Sequence, residues 1–251
     1  MDEKHIQKAA ALLSSSKQAV AMTGAGISVE SGIPPFRGKG GLWEKFDPMK
    51  YSHIEAFLEN PADVWKMLFL HMKEVLETAR PNQGHRGLFE LEKKGILGAV
   101  ITQNVDGLHQ KAGQEQVIEF HGSFARQRCT RCRRTCPSDQ ISLDTLPPAC
   151  ECGGIWRPDV VMFGEAIPYD CLQRAQAWAS TCDLMLVVGT SATVEPAASL
   201  PVIAKHNGAR IIEINPERTP LSRHVSDITL IGGAGDVITQ LVAAVEAHSA
   251  G

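Results

Sequence analysis

Short apolar runs alternate with amphipathic helical segments along most of this chain. The clearest runs are Ala19–Thr23, Ala99–Thr102, Val117–Phe120, Leu184–Val188, Arg210–Ile214 and Ile228–Ile231. Each is far too short to span a membrane, and each is typical of a strand that is covered on both faces. Helical periodicity lies between or after them, as at 3–15, where Ile6, Ala9, Ala10 and Leu13 share one face. This alternation predicts an α/β fold built on a doubly wound parallel sheet.

Two stretches interrupt the alternation. The first begins near residue 37 and contains Asn60-Pro61, a helix cap followed by proline at the first helical position. The second, near 126–158, is rich in cysteine, arginine and proline. We therefore predict three units, which are a discontinuous Rossmann-like domain, a helical insertion and a smaller zinc-ribbon module. Their predicted ranges are 1–36, 81–124 and 166–251 for the first, 37–80 for the second and 125–165 for the third.

Charge and composition exclude several classes of protein. A hydrophobic content of 43% with 21% charged residues is globular, and the formal net charge of -3 argues against wholesale binding of nucleic acid. The start of the chain is charged and has no apolar segment, so we expect no signal peptide. The seven cysteines are an odd number without a mark of secretion. We expect a reduced, cytoplasmic compartment in which thiols bind metal.

Two close cysteine pairs are the strongest metal signal in the chain. Cys129 and Cys132 form the first pair, and Cys150 and Cys152 form the second. Their separation fits a zinc ribbon, in which two turns supply four soft ligands to tetrahedral zinc. Four thiolates leave no open position, so the predicted metal is structural. Cys136 could compete as a ligand, and that alternative stays open at this point.

Five arginines crowd the first cysteine pair: Arg126, Arg128, Arg131, Arg133 and Arg134. A solvated face of the zinc module is the default interpretation of such a cluster. A docking surface for an acidic partner is the alternative.

A glycine turn follows the first predicted strand. Gly24 and Gly26 would let backbone amides approach a pyrophosphate. The dehydrogenase fingerprint requires a third glycine where this chain has Val29, so a structural turn explains the pair equally well. The long loop that follows is dense in Gly, Pro and Ser, which favours a functional role. Within it, Phe36 offers a ring to cover a ligand and Arg37 a cation for phosphate.

Polar residues gather at the ends of two later strands. Gln103, Asn104 and Asp106 follow one strand, and His121 ends the next. Parallel sheets bind ligands at the carboxyl ends of their strands, so this cluster of amide, carboxylate and imidazole predicts an active site. His85 and His109 lack such a setting, and we expect them to be structural or solvated.

The order of these motifs resembles the sirtuin family of prokaryotic type. The segments that carry the resemblance are Gly24–Ser28, Gly32–Gly38, Gln103–Asp106, Phe120–Gly122, the two cysteine pairs, Arg157–Glu165 and Gly189–Ser191. Sirtuins are NAD-dependent protein-lysine deacylases, and the resemblance covers nearly the whole chain. It implies release of nicotinamide, free lysine and O-acetyl-ADP-ribose, with NAD as co-substrate, one structural Zn²⁺ per chain and acyl-lysine proteins or peptides as substrates. Nothing in the sequence indicates the oligomeric state.

The resemblance also implies roles for individual residues. His121 would be the general base and Asn104 a second catalytic residue. The NAD-binding residues would be Gly24, Ala25, Gly26, Ser28, Phe36, Arg37, Gln103, Asn104, Asp106, Gly189, Thr190, Ser191, Asn215 and Ala234. The acyl-lysine peptide would lie as an added strand along Val160, Phe163, Gly164, Glu165 and Val194. Zinc would be held by Cys129, Cys132, Cys150 and Cys152.

One departure and two alternative functions accompany the resemblance. Pro35 stands where many sirtuins have Asp, which removes a carboxylate and an amide donor from the NAD loop. The first alternative is a mono-ADP-ribosyltransferase, in which ADP-ribose ends on a protein side chain. The second is a non-catalytic module that binds NAD or ADP-ribose. The catalytic set is complete in this sequence, which favours deacylation over both.

The acyl preference is predicted from an absence. One sirtuin branch removes succinyl and malonyl groups with a tyrosine followed three residues later by arginine. In this chain the residue three positions after Tyr51 is Ile54, and the residue three positions after Tyr169 is Leu172, so neither tyrosine has the arginine. A buried carboxylate without a cation is costly, so anionic acyl groups are disfavoured. The wall that we expect for the acyl pocket is apolar: Trp65, Met67, Leu68, Phe69, Leu70 and Met72. We predict acetyl first, longer neutral chains second and succinyl last.

Overall fold

The computed structural model of the chain describes residues 3–36 and 40–249. In chain order, its strands are β1 Ala19–Thr23, β2 Leu97–Thr102, β3 Val117–Glu119, β4 Gly122–Cys129, β5 Thr135–Pro137, β6 Trp156–Val160, β7 Leu184–Val188, β8 Arg210–Asn215 and β9 Ile228–Ile231. Its α-helices are α1 Glu3–Ser15, α2 Leu42–Lys45, α3 Pro48–Tyr51, α4 Ile54–Glu59, α5 Pro61–Val64, α6 Leu70–Thr78, α7 Gln83–Lys93, α8 Leu108–Lys111, α9 Tyr169–Thr181, α10 Leu200–His206, α11 Pro220–His224 and α12 Ala234–Ser249.

The larger sheet of the described residues is parallel and has the strand order β3-β2-β1-β7-β8-β9. Its strands are buried on both faces, as the continuous apolar runs predict. Helices α1, α7 and α12 pack on one face, and α9, α10 and α11 pack on the other. The predicted doubly wound α/β sheet is therefore confirmed. Its chain order reverses between β1 and β7, the point at which such sheets form a ligand crevice.

Element boundaries agree closely with the sequence except where side-chain caps act. Strands β1, β7 and β9 have the predicted limits. Helix α7 begins at Gln83 rather than at Leu88, because Asn82 Oδ1 accepts hydrogen bonds from the Gly84 and His85 amides. The predicted Asn60 cap is confirmed, since its Oδ1 accepts from the Asp63 amide. Short helices α2, α3, α4, α8 and α11 were not predicted, because four to six residues carry no readable period.

The helical insertion and the zinc module share one apolar core. Helices α5 and α6 are joined by a π-helical turn, Trp65–Phe69, whose aromatic rings are buried. Phe124 and Ile155 of the zinc module pack against this cluster. Strands β5, β4 and β6 form the small antiparallel sheet of the module. The predicted domain limits stay predictions, and the one at 124–125 falls inside β4.

Within the described ranges, no helix combines the length and the apolar content that crossing a bilayer requires.

Candidate active site

A cavity of about 900 Å³ opens where β1, β2, β7 and β8 end, between the sheet, the helical insertion and the zinc module. Most of the predicted site residues line it: Gly24, Ala25, Gly26, Phe36, Gln103, Asn104, His121, Val160, Phe163, Gly164, Glu165, Gly189, Thr190, Ser191, Val194, Asn215 and Ala234. Ser28 and Asp106 line a smaller cavity that shares several walls with it. Arg37 lies outside the described residues.

Backbone approaches backbone at the glycine turn. The Gly26 amide donates to Gly189 O at 2.8 Å, and the Gly24 amide donates to Val188 O at 3.0 Å. A Cβ at Gly26 would lie 2.6 Å from Gly189 Cα, and Gly189 itself has φ +61°. Only glycine fits both positions without displacing backbone. The loops after β1 and β7 therefore form one continuous main-chain surface at the carboxyl edge of the sheet.

A chain of hydrogen bonds fixes the polar residues after β2. Asn104 Nδ2 donates to Gly24 O and to Ser28 Oγ, both at 3.1 Å. Ser28 Oγ in turn donates to Asp106 Oδ2 at 2.7 Å. Burial raises the pKa of Asp106, although hydrogen bonds from the Leu108 amide and from Ser28 act in the opposite direction. The sequence pattern Gln103–Asp106 thus folds into one network with the glycine turn.

His121 is oriented by a backbone carbonyl. Its Nδ1 lies 3.1 Å from Gln103 O, and because a carbonyl only accepts, Nδ1 carries the proton. Nε2 is then the basic nitrogen. Burial lowers the pKa of His121, while the bond to Gln103 opposes that shift. The imidazole is consequently neutral at neutral pH and can accept a proton, which is what a general base requires.

Two further histidines contact residues at the end of β1 and in the loop after it, and the sequence had not assigned them to the site. His85 Nε2 lies 3.5 Å from Ser28 Oγ, and His109 Nε2 lies 2.9 Å from Thr23 Oγ1. Both are buried, with ring centroids 4.9 Å apart. Burial lowers the pKa of His85 to about 3 and that of His109 to about 4. The spacing of Asn82 and His85, a capping-box pattern, could have indicated that His85 is fixed at a helix start.

The predicted peptide edge runs along the cavity mouth after β6. Phe163 forms an isolated parallel bridge with His53, and its amide donates to Ser52 O at 2.8 Å. Gly164 is exposed, with φ +86°. The Glu165 carboxylate points to Arg157 Nη2 at 2.7 Å. Glu165 is thus engaged within the protein, and it lines the cavity next to Gly164.

The apolar part of the cavity differs in detail from the predicted wall. Leu68, Phe69 and Met72 line it, whereas Trp65, Met67 and Leu70 do not. The π-helical turn points Trp65 away, so that its Nε1 donates to Trp156 O at 3.0 Å. Met67 is 39% exposed on the outer face. The lining is completed by apolar residues that sequence periodicity could not identify: Leu42, Trp43, Val105, Phe124, Met162 and Ile167.

Pro35 also lines the cavity, and its carbonyl accepts from the Leu42 amide at 2.8 Å. The loop before the insertion is therefore fixed to α2 by a backbone group that proline retains.

Four sulfurs meet in the zinc module. The Sγ atoms of Cys129, Cys132, Cys150 and Cys152 lie within 4.8 Å of one another, and Cys136 is not in this group. The Cys129–Cys152 and Cys132–Cys150 sulfur distances are 3.4 and 4.0 Å. A tetrahedron with Zn–S bonds of about 2.3 Å has edges of about 3.8 Å, so the donor set fits zinc. Four thiolates close the coordination shell and make the metal structural.

The arginine cluster beside these sulfurs is largely engaged. Arg126 contacts Glu119 at 2.7 Å, and Arg128 contacts Asp159 at 3.3 Å. Arg131 Nη1 donates to Cys152 O at 2.6 Å. Arg134 contacts Glu151 at 3.0 Å and lies over the ring of Trp156. These contacts favour a structural role over a docking surface.

Relatives and solved structures agree with this architecture. The family model that matches the chain is that of the Sir2 family, over residues 24–196. The chain is 48% identical over 232 residues to "NAD-dependent protein deacylase 2" of Pyrobaculum aerophilum, with 92% of each chain covered. It is 46% identical over 243 residues to "NAD-dependent protein deacylase 1" of Archaeoglobus fulgidus, with 96% of this chain and 97% of that protein covered.

Three solved structures carry informative ligands. A Sir2 homologue in complex with NAD is 45% identical, with a TM-score of 0.89 over 99% of this chain and 95% of its own. A mutant Sir2 homologue in complex with 2′-O-acetyl ADP-ribose is 44% identical, with a TM-score of 0.90 over 99% and 98%. Sir2Af2 bound to a myristoylated histone peptide is 38% identical, with a TM-score of 0.83 over 99% of both chains. With the family match and these identities over nearly its whole length, this chain belongs to the Sir2 family, the sirtuins.

Proposed function

We propose that this protein uses NAD to remove neutral acyl groups from lysine side chains, and that His121 is the general base of the reaction. One observation carries the proposal: a single cavity joins the glycine turn, the oriented imidazole and an apolar recess. The protein is an NAD-dependent protein-lysine deacylase, and its relatives are named for that activity. Its products are nicotinamide, free lysine and O-acetyl-ADP-ribose.

NAD supplies the ribose carbon that accepts the acyl oxygen, together with the nicotinamide that leaves. For this chain we infer that Gly24, Ala25 and Gly26, with Ser28 and Arg37, hold the pyrophosphate. The position of the glycine turn supports this assignment, because the turn lines the cavity at the carboxyl edge of the sheet and its glycines let a ligand approach the main chain closely. The remaining NAD contacts are proposed as follows: Gln103 and Asn104 at the nicotinamide ribose, Phe36 over the ribose carbon, Asp106 at the carboxamide, and Gly189, Thr190, Ser191, Asn215 and Ala234 at the adenosine side.

His121 is proposed to take the proton of a ribose hydroxyl at Nε2. Its Nδ1 is held by Gln103 O, which fixes the tautomer that this step needs. The lowered pKa keeps the ring unprotonated and ready to accept. Asn104 is placed by Gly24 O and Ser28 Oγ so that its amide is rigid, which suits a residue that positions a reactant.

The peptide substrate is proposed to add a strand at Val160, Phe163, Gly164, Glu165 and Val194, with the acyl chain entering the apolar recess. Leu68, Phe69 and Met72 offer no cation to a carboxylate. A relative bound to a myristoylated peptide supports room for long neutral chains in this family. A reducing cytoplasm is proposed as the working compartment, because four of the cysteines form a metal-ligand cluster and such thiols must stay reduced.

The acyl preference is tested with one peptide that carries acetyl, butyryl, myristoyl or succinyl lysine, each assayed with and without NAD. We expect turnover only with NAD, the highest kcat/KM for a neutral acyl group and the lowest for succinyl, because no lysine or arginine is among the described residues that line the cavity. Highest kcat/KM for succinyl would contradict the proposed pocket. Turnover without NAD would contradict the proposed reaction.

A further inference from the structure

Arg157 and Glu165 form a largely buried ion pair that connects the zinc module to the peptide edge, and Arg128 Nη2 lies 4.0 Å from the same carboxylate. Arg157 on β6 is 2% exposed, and its Nη2 donates to both Glu165 carboxylate oxygens at 2.7 Å. Its guanidinium carbon also lies 5.8 Å from the Phe57 ring centroid in the helical insertion. The reaction described above uses neither Arg157 nor the Glu165 carboxylate. A buried ion pair contributes little net stability, because the cost of desolvating both charges offsets their attraction.

The Glu165 carboxylate also closes a turn. Its Oε2 accepts from the Met162 amide at 3.0 Å, while the Glu165 amide donates to Met162 O at 3.0 Å. Gly164 lies inside this turn, exposed at the cavity mouth. Arg157 thereby holds a carboxylate that in turn holds the backbone from 162 to 165. The conformation of the peptide edge depends on a side chain of the zinc module.

The first half of the same edge has separate anchors. The Val161 amide donates to His121 O at 2.8 Å, and the Ile54 amide donates to Phe163 O at 2.9 Å. These bonds connect the edge to the catalytic histidine and to the helical insertion, and they do not involve Glu165. Loss of the ion pair should therefore loosen the half around Gly164 while His121 and the NAD-binding loops stay in place.

We propose that Arg157 and Glu165 are positioning residues that set the backbone edge on which the acyl-lysine peptide pairs. The inference rests on the proposed function, because it concerns the peptide site of that reaction. It predicts that the zinc module controls affinity for the peptide separately from affinity for NAD. Nothing in the pair touches the reacting atoms, so kcat at saturating peptide should change less than KM.

The experiment measures the Kd of a fluorescently labelled acetyl-lysine peptide without NAD, and then KM for peptide, KM for NAD and kcat. Glu165→Gln keeps the shape but removes the charge that Arg157 and the Met162 amide share. We expect its peptide Kd and KM to rise about tenfold or more, as the loss of a hydrogen-bonded charge predicts, with KM for NAD unchanged. Arg157→Lys keeps the charge and should retain most of the peptide affinity.

Asp227→Asn is the matched control, because Asp227 forms an ion pair with Lys205 at 2.7 Å that does not contact the cavity. It should lower Tm and leave both KM values unchanged. If Glu165→Gln fails to fold, the double variant Arg157→Met, Glu165→Met removes both charges together and avoids an unpaired one. We expect the double variant to fold and its peptide Kd to be higher than that of the parent, as for Glu165→Gln.

Two results would overturn the inference. One is a peptide Kd equal to that of the parent in Glu165→Gln or in the double variant. The other is an equal rise in both KM values, which would indicate general destabilisation. Because the peptide Kd is measured without NAD, these results stay separate from a failure of the proposed function, which would appear as a parent protein that binds peptide but does not turn it over.

Discussion

At the scale of single residues, the chemistry of His121 comes from its surroundings. Burial keeps the ring neutral, and Gln103 O selects the tautomer with a basic Nε2. The sequence could predict His121 because it ends a strand beside Gln103–Asp106. It could not predict the support from His85, because the contact of His85 with Ser28 spans 57 residues of the chain. Contacts between distant segments depend on the fold and leave no local pattern.

Replacing the base tests this residue directly. His121→Ala should lower kcat by about 10²- to 10⁴-fold, the usual contribution of a positioned general base. Thermal unfolding should show that the variant remains folded, since His121 is a partly buried residue of the cavity rather than of the main core. A steady-state deacylation assay checks the rate. Turnover close to that of the parent would show that another group takes the proton.

At the scale of elements, the zinc module and the helical insertion act as one unit. Trp65 Nε1 donates to Trp156 O, and Phe124 packs against Phe69 with ring centroids 6.0 Å apart. The cysteine spacing predicted the metal ligands, and the interruption of the alternation predicted the insertion. The contact between the zinc module and the helical insertion could not be predicted. The π-helical turn changes which side chains of the insertion face the module, and no period in the sequence indicates such a turn.

Removing one thiolate should release the metal. Cys150→Ala is expected to lower zinc content from about one ion per chain to near zero, because a closed site contributes folding energy through all four ligands. Elemental analysis measures the zinc, and limited proteolysis should show earlier cleavage near 126–158. Cys136→Ala is the control and should keep its zinc. The opposite result, retention in Cys150→Ala with loss in Cys136→Ala, would show that the ligand set is wrong.

At the scale of the whole molecule, two buried imidazoles make stability depend on pH. The pKa values of His85 and His109, about 3 and about 4, lie below the ordinary value of 6.5. At pH values between the folded pKa and 6.5, each of these histidines is protonated in the unfolded chain and neutral in the folded chain. Their contribution is therefore complete above pH 6.5 and is lost as pH falls towards the folded pKa values, at about 1.4 kcal/mol per pH unit for each histidine.

His109→Gln removes one of these titrating groups. Compared with the parent, the variant should lose about 2 kcal/mol less unfolding free energy between pH 7.5 and pH 5. Urea denaturation at both pH values measures the difference, and comparison at equal pH cancels the contribution of the other titrating groups. An equal slope in His109→Gln would contradict the buried, neutral state of His109.

The whole fold was the most predictable level. A continuous apolar run such as Leu184–Val188 has both of its faces buried when helices cover both sides of the sheet. The parallel sheet could therefore be predicted from the sequence. The shape of the cavity did not follow, because Leu42, Phe124 and Met162 come from three separate segments that meet only after the insertion docks on the zinc module. The sequence predicted the apolar character of the acyl wall, but only three of the six residues that it named line the cavity.

The central claim is that this cavity transfers an acyl group from lysine to ADP-ribose. Mass spectrometry of one reaction, containing NAD and an acetyl-lysine peptide, follows every product at once. We expect nicotinamide, deacetylated peptide and O-acetyl-ADP-ribose in equal amounts, with deacetylated peptide and O-acetyl-ADP-ribose formed at least about 100-fold more slowly by His121→Ala. ADP-ribose attached to a protein side chain, or NAD bound without any product formed, would contradict the account.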